Sequence, residues 1–134
     1  MLFRRTNIRQ WEIRFYFSFD MYDKERIIRA LIWAGAPNSI IDKVSENIEA
    51  GRLDEGFTYS NPLDRKSVVG IGMTSSGPEF LNSFVHEVFH LSQDIAVADG
   101  ISLVGEDIAY LAGDISRSAS DIVCEMSCPH CRSI

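Results

Sequence analysis

The sequence predicts an α+β domain, and three observations carry that expectation. Residues 11 to 19 alternate with period two, a glycine-interrupted β segment occupies positions 56 to 73, and the stretches on either side repeat apolar residues with helical spacing. At 134 residues the chain is long enough for one domain, residues 1–134, with a real but modest core. Its composition, 46% hydrophobic and 24% charged, is that of an ordinary globular protein.

Trp11, Ile13, Phe15, Phe17 and Phe19 point one way and Glu12, Arg14, Tyr16 and Ser18 the other, which predicts a strand with one buried side. Asp20 then caps a helix through Ala34 with Ile27, Ile28, Leu31 and Ile32 as its apolar stripe. Beyond Pro37, Asn38 or Ser39 opens a second helix carrying Ile40, Ile41, Val44 and Ile48 and ending at Gly51. Phe57 to Tyr59 is a short strand, Asn61 to Asp64 a turn, and Lys66 to Met73 a second strand. Gly70 and Gly72 leave small side chains on that strand, marking either a bulge or the close approach of another backbone. From Glu79 to about Ala98, Leu81, Phe84, Val85, Val88, Leu91 and Ile95 define a third helix. A last helix runs from about Gly105 to Met126 on Ile108, Leu111, Ala112, Ile115, Ala119 and Ile122. The expected order is β-α-α-β-β-α-α with a small mixed or antiparallel sheet.

Charge and hydropathy narrow the function classes. A net charge of −6 argues against broad attraction to nucleic acid. Arg4, Arg5, Arg9 and Arg14 are a local exception, read as solvated surface or as a partner contact. No run approaches the ~18–20 apolar residues of a membrane helix. Glu12 and Arg14 break the first apolar stretch as a signal-peptide core. A cytoplasmic protein without membrane association is expected.

The chemistry concentrates in His86-Glu87-Val88-Phe89-His90, which holds two of the three histidines. Residues i and i+4 lie one turn apart on one helix face, so both imidazoles can reach one ion while Glu87 stays beside them. Neutral imidazole suits Zn2+, and a catalytic zinc needs a third protein ligand and an open position. Asp94, eight residues beyond His86, is about 12 Å along the axis and too far for that role. Glu106 opens the next helix after a short connection, and Glu106, Tyr110 and Gly113 share one face of it. Glu106 is therefore the expected third ligand. Tyr110, one turn on, could orient it, donate to an oxyanion, or only pack, the orienting role needing the least movement.

His86-Glu87-x-x-His90 followed by Gly105-Glu106-x-x-Ala109-Tyr110-Leu111 resembles the minimal gluzincin-type metallopeptidases, especially small HExxH proteins of bacteriophages and other bacterial mobile elements. The resemblance spans roughly residues 57–115. It implies a minimal zincin-like domain, a small sheet packed against the HExxH helix and a following long helix. The implied activity is zinc-dependent peptide hydrolysis with Glu87 as general base, on a peptide or protein substrate. A second copy of the chain could complete the substrate groove as a homodimer. The competing expectation is a catalytically silent zincin-fold binding or accessory protein of a phage or mobile element.

Residues 124–134 form a cysteine-containing tail. Cys128-Pro129-His130-Cys131 matches a thiol-oxidoreductase sequence but follows a helix instead of opening one, which argues against redox catalysis. Cys124, Cys128 and Cys131 could form a second metal site, with His130 as a further donor; a reduced tail without metal is the plainer alternative.

Overall fold

The computed structural model describes residues 1–54 and 56–127. The chain forms β1 (Leu2–Ile8), β2 (Trp11–Phe19), a 3-10 turn (Met21–Asp23), α1 (Lys24–Trp33) and α2 (Asn38–Glu49). It continues with β3 (Phe57–Asn61), β4 (Lys66–Gly72), α3 (Gly77–Asp99), α4 (Glu106–Ser118) and α5 (Ser120–Ser127). The α+β class is the one expected. The four strands form one mixed sheet in the order β1-β2-β4-β3, with β2 and β4 parallel and both edge strands antiparallel to their neighbours.

The strand expected to have one buried side is buried on both. Trp11, Ile13, Phe15 and Phe17 join Phe80, Phe84, Leu91, Ile95, Leu111 and Ile115 in a core between the sheet and α3–α5. On the other face Tyr16 and Val68 meet Ile27, Leu31, Val44 and Ile48 of α1 and α2. Two helical layers therefore cover the sheet, and each removes apolar surface from water at roughly 25 cal/mol per Å2. Phe19 corrects the expected phase. The β2–β4 register shifts between Phe17 and Phe19, where Ser18 has φ +61°, and this bulge turns Phe19 into the α1–α2 core instead of the α3 core.

Two element assignments also differ from the sequence expectation. Strand β1, not anticipated, pairs with β2 through a two-residue turn at Arg9-Gln10, both with positive φ. The single last helix is two, α4 and α5, broken at Ala119, which is buried in the core. Three of the four arginines read as solvated or partner-facing, Arg4, Arg9 and Arg14, tie elements of this chain together, while Arg5 is exposed. Arg4 donates to Asp121 Oδ2 at 2.6 Å and to the Ser118 carbonyl, and Arg9 and Arg65 both donate to Asp99. Arg14 lies over the Trp33 ring, 3.7 Å from its centroid.

In β4 the close approach of another backbone holds at Gly72, whereas Gly70 makes room for a side chain. A Cβ on Gly70 would strike the Phe57 ring, and one on Gly72 would strike the Leu53 carbonyl. The segment entering β3 thus lies directly against β4, and this fixes edge strand β3 beneath α3. Among the described residues, no helix is long and apolar enough to cross a membrane.

Candidate metal and catalytic site

Helix α3 starts at Ser76, whose hydroxyl accepts the Glu79 amide, and carries Pro78 in its first turn. Phe80, Phe84, Val88, Leu91 and Ile95 are its buried stripe, so packing fixes its rotation. Leu81 and Val85, expected in that stripe, are instead exposed at its margin. With the helix fixed in this way, His86, His90, Asp94 and Glu87 occupy an arc of roughly 100° on the side facing β3.

Two side-chain hydrogen bonds join that side of α3 to β3. Thr58 Oγ1 donates to Glu87 Oε1 at 2.9 Å, and Ser60 Oγ donates to Asp94 Oδ2 at 2.7 Å. The second bond ends a relay from the core, in which Trp11 Nε1 donates to Ser67 Oγ at 2.8 Å and the Ser67 and Ser60 hydroxyls are 2.8 Å apart. Each hydroxyl in such a chain can donate onward to the carboxylate, so the bonds polarise one another in the same sense.

The histidine side chains converge. Nε2 of His86 lies 3.2 Å from Nε2 of His90, with the ring centroids 4.8 Å apart. Two imidazole nitrogens at Zn–N lengths near 2.0–2.1 Å and a tetrahedral angle sit about 3.3 Å apart. The pair therefore already has the spacing of two ligands on one zinc ion, and both rings are solvent-accessible. Glu87 differs from them: it is only 4% exposed. Its Oε1 is held by Thr58, while its Oε2 lies 2.7 Å from where a Cβ on Gly56 would stand. Glycine at 56 is what lets the segment before β3 close over this carboxylate. A cavity of about 310 Å3 opens beside it, lined by Asp54, Gly56, Asn82, Ser83, His86 and Glu87.

Comparison with known protein families, with curated proteins and with solved structures finds no match to this chain. The site has to be read from its own geometry.

That geometry brings together His86, Glu87 and His90 but not Glu106 or Tyr110. Helix α3 packs on β3 and β4, whereas α4 packs on the other flank of α3 and reaches β1, at the opposite edge of the sheet. Leu111 and Ile115 direct α4 there, because they complete the core beside Leu91 and Ile95. Glu106 is exposed at the start of that helix, and Tyr110, 67% exposed, lines a separate cavity with Ile8 and Arg9 of the β1–β2 turn. Among the described residues, no three His, Cys, Asp or Glu side chains gather into a metal-sized group. Cys124 is disulfide-bonded, and the other two residues of the second candidate metal site, Cys128 and Cys131, lie outside the described residues.

The sequence reading missed Thr58, Gly56 and the Ser60–Ser67–Trp11 relay. A threonine and a serine two apart share one face of a strand, and that was the available signal for side chains able to meet a facing helix.

Proposed function

We propose that the chain is a zinc-dependent peptidase in which His86 and His90 hold the metal and Glu87 is the general base. The observation that carries this is the 3.2 Å separation of the two Nε2 atoms on a helix whose intervening glutamate is buried beside them. When bound, zinc would polarise a scissile carbonyl and lower the pKa of a coordinated water toward 7. The residues of the chain supply the remaining functions. Thr58 fixes Oε1 of Glu87, leaving Oε2 to take a proton from the attacking water and return it to the leaving amine. The segment through Gly56 shields that carboxylate from bulk water. Among the described residues, edge strand β3 has only β4 as a neighbour, so its outer backbone groups can accept an extended peptide next to Glu87.

The test is zinc stoichiometry by elemental analysis of the full chain and of a His86→Ala/His90→Ala double variant, together with peptide cleavage by wild type and Glu87→Gln. The expected result is one zinc lost only in the double variant, and cleavage lost in Glu87→Gln with zinc retained. Equal zinc in wild type and double variant would overturn the assignment. A second reading, a metal-binding accessory module without turnover, is favoured by the lack of a third ligand among the described residues. Zinc held at the histidines without cleavage of any peptide in a broad library would select it.

A further inference from the structure

The face of the sheet turned away from α3 carries a concentration of positive charge that the fold does not use. Arg5 and Arg14 are directly opposite each other on β1 and β2, so two like charges meet where they repel. Arg14 is compensated by Glu12, 3.3 Å away, and by the Trp33 ring. Among the described residues, Arg5 has no hydrogen bond, ion pair or ring contact, and it is exposed. On α1, Arg26, Arg29 and Trp33 follow the i, i+3, i+7 spacing and border the same surface. The Arg26 guanidinium stands 5.8 Å from the centroid of the Phe3 ring, and Arg29 makes a 4.0 Å contact with Glu25. Lys66, opposite Glu12 in the β2–β4 register, has its Nζ 4.9 Å from the Trp33 centroid. Five cations thus share a surface with two carboxylates, in a chain whose net charge is −6.

We infer that this surface, between β1 and α1, docks an acidic segment of a protein partner. Arginine binds carboxylates through paired N–H donors, and among the described residues Arg5, Arg26 and Lys66 have no carboxylate partner. Phosphate would satisfy the same donors, but single-stranded nucleic acid also needs open aromatic faces for its bases. Here the rings are taken: Arg14 and Lys66 lie over Trp33, and Arg26 lies over Phe3 and Tyr16. The overall negative charge further opposes a long polyanion, whereas a short segment meets only the local field. The surface also sets the length. Arg26 lies over Tyr16, and Lys66 is opposite Glu12, four residues back along β2, so the cations span about 13 Å. An extended segment of about five residues covers that span, with carboxylates at alternate positions facing the protein. The surface is on the other side of the sheet from His86 and His90, and the inference does not depend on the peptidase reading.

Fluorescence anisotropy on the full chain tests it with three labelled probes. They are a heptapeptide of alternating glutamate and threonine, the same peptide with glutamine for glutamate, and oligothymidylate as the nucleic-acid probe. The glutamate peptide should bind with an affinity that falls as salt is raised, and the glutamine peptide on the order of tenfold more weakly. Arg5→Glu should weaken the glutamate peptide by about tenfold as well. That variant should unfold no earlier than wild type, since it turns a like-charge pair into an attractive one opposite Arg14. Lost binding in the folded variant therefore reports the surface and not the stability of the sheet. No binding of the glutamate peptide, equal binding of both peptides, or unchanged affinity in Arg5→Glu overturns the inference. Tighter binding of oligothymidylate than of the glutamate peptide overturns it too, in favour of a nucleic-acid surface.

Discussion

The two flanks of α3 are built from opposite materials. Toward α4 and α5 the helix presents Phe84, Leu91 and Ile95 to an apolar core shared with Leu111, Ile115 and Ile122. Toward β3 it presents Glu87 and Asp94, held by directional bonds from Thr58 and Ser60, with exposed His86 and His90 on the adjoining surface. Apolar packing sets where the helix lies and how it is rotated. Polar contacts then set the position of individual atoms. The chemistry sits on the polar flank because a buried carboxylate needs hydrogen-bond donors that an apolar core lacks, and there Thr58 supplies one.

Damage to the apolar flank should have the largest effect. Phe84→Ala removes a ring that packs against Phe15, Phe17 and Phe80, and should cost about 3–5 kcal/mol. Denaturant unfolding would register it, and zinc binding should fail only where the fold does. The polar flank should behave the other way. His86→Ala or His90→Ala should leave the unfolding midpoint within about 0.5 kcal/mol, because both rings are solvent-accessible, while abolishing zinc retention. A large stability loss in either histidine variant would mean that the two flanks are not separable.

Thr58→Val sharpens the comparison, since it keeps shape and removes only the bond to Glu87. Turnover should fall about tenfold, because the general base loses the hydrogen bond that fixes its Oε1. Zinc stoichiometry should not change. If turnover is unaffected, Thr58 contributes to packing alone.

The legibility of the chain in its sequence follows the same division. Core-facing residues repeat with a period, so Phe84, Val88, Leu91 and Ile95 were identifiable, and β2 was legible from its alternating aromatics. The HExxH spacing placed His86 and His90 on one turn without any tertiary information. What could not be read was anything set by the partner of an element. Strand β1 carries few apolar residues and a turn, Arg9-Gln10, with none of the usual glycine or asparagine. Tyr16 reads as outward until α1 and α2 cover the second face. Glu106 has the right spacing within its own helix, but whether α4 returns on the histidine flank depends on which edge of the sheet Leu111 and Ile115 complete. Local periodicity carries no information on that choice.

The smallest expected effect lies at the far end of α3, where the helix is held by charge. Asp99 accepts from Arg9 and from Arg65, at 2.8 Å each for the closest contacts, and ties the end of α3 to the β1–β2 turn and the start of β4. Hydrogen bonds from Arg65 and then Arg9 lower its pKa to about 2. A carboxyl lowered on folding contributes stability that is fully present above its unfolded value, near pH 4, and is lost as pH falls through about 2. Asp99→Asn should therefore cost roughly 1 kcal/mol at neutral pH after allowance for solvent screening, and the difference from wild type should vanish below about pH 2. Both arginines stay charged across that range, so the loss belongs to the aspartate alone. Zinc binding at His90 and His86, about two and a half and three and a half helical turns away, should be unchanged in Asp99→Asn at neutral pH. If the variant loses zinc, the polar flank of α3 depends on the clamp at its end as well as on Thr58 and Ser60, and the helix does not act as a rigid support fixed by its apolar side.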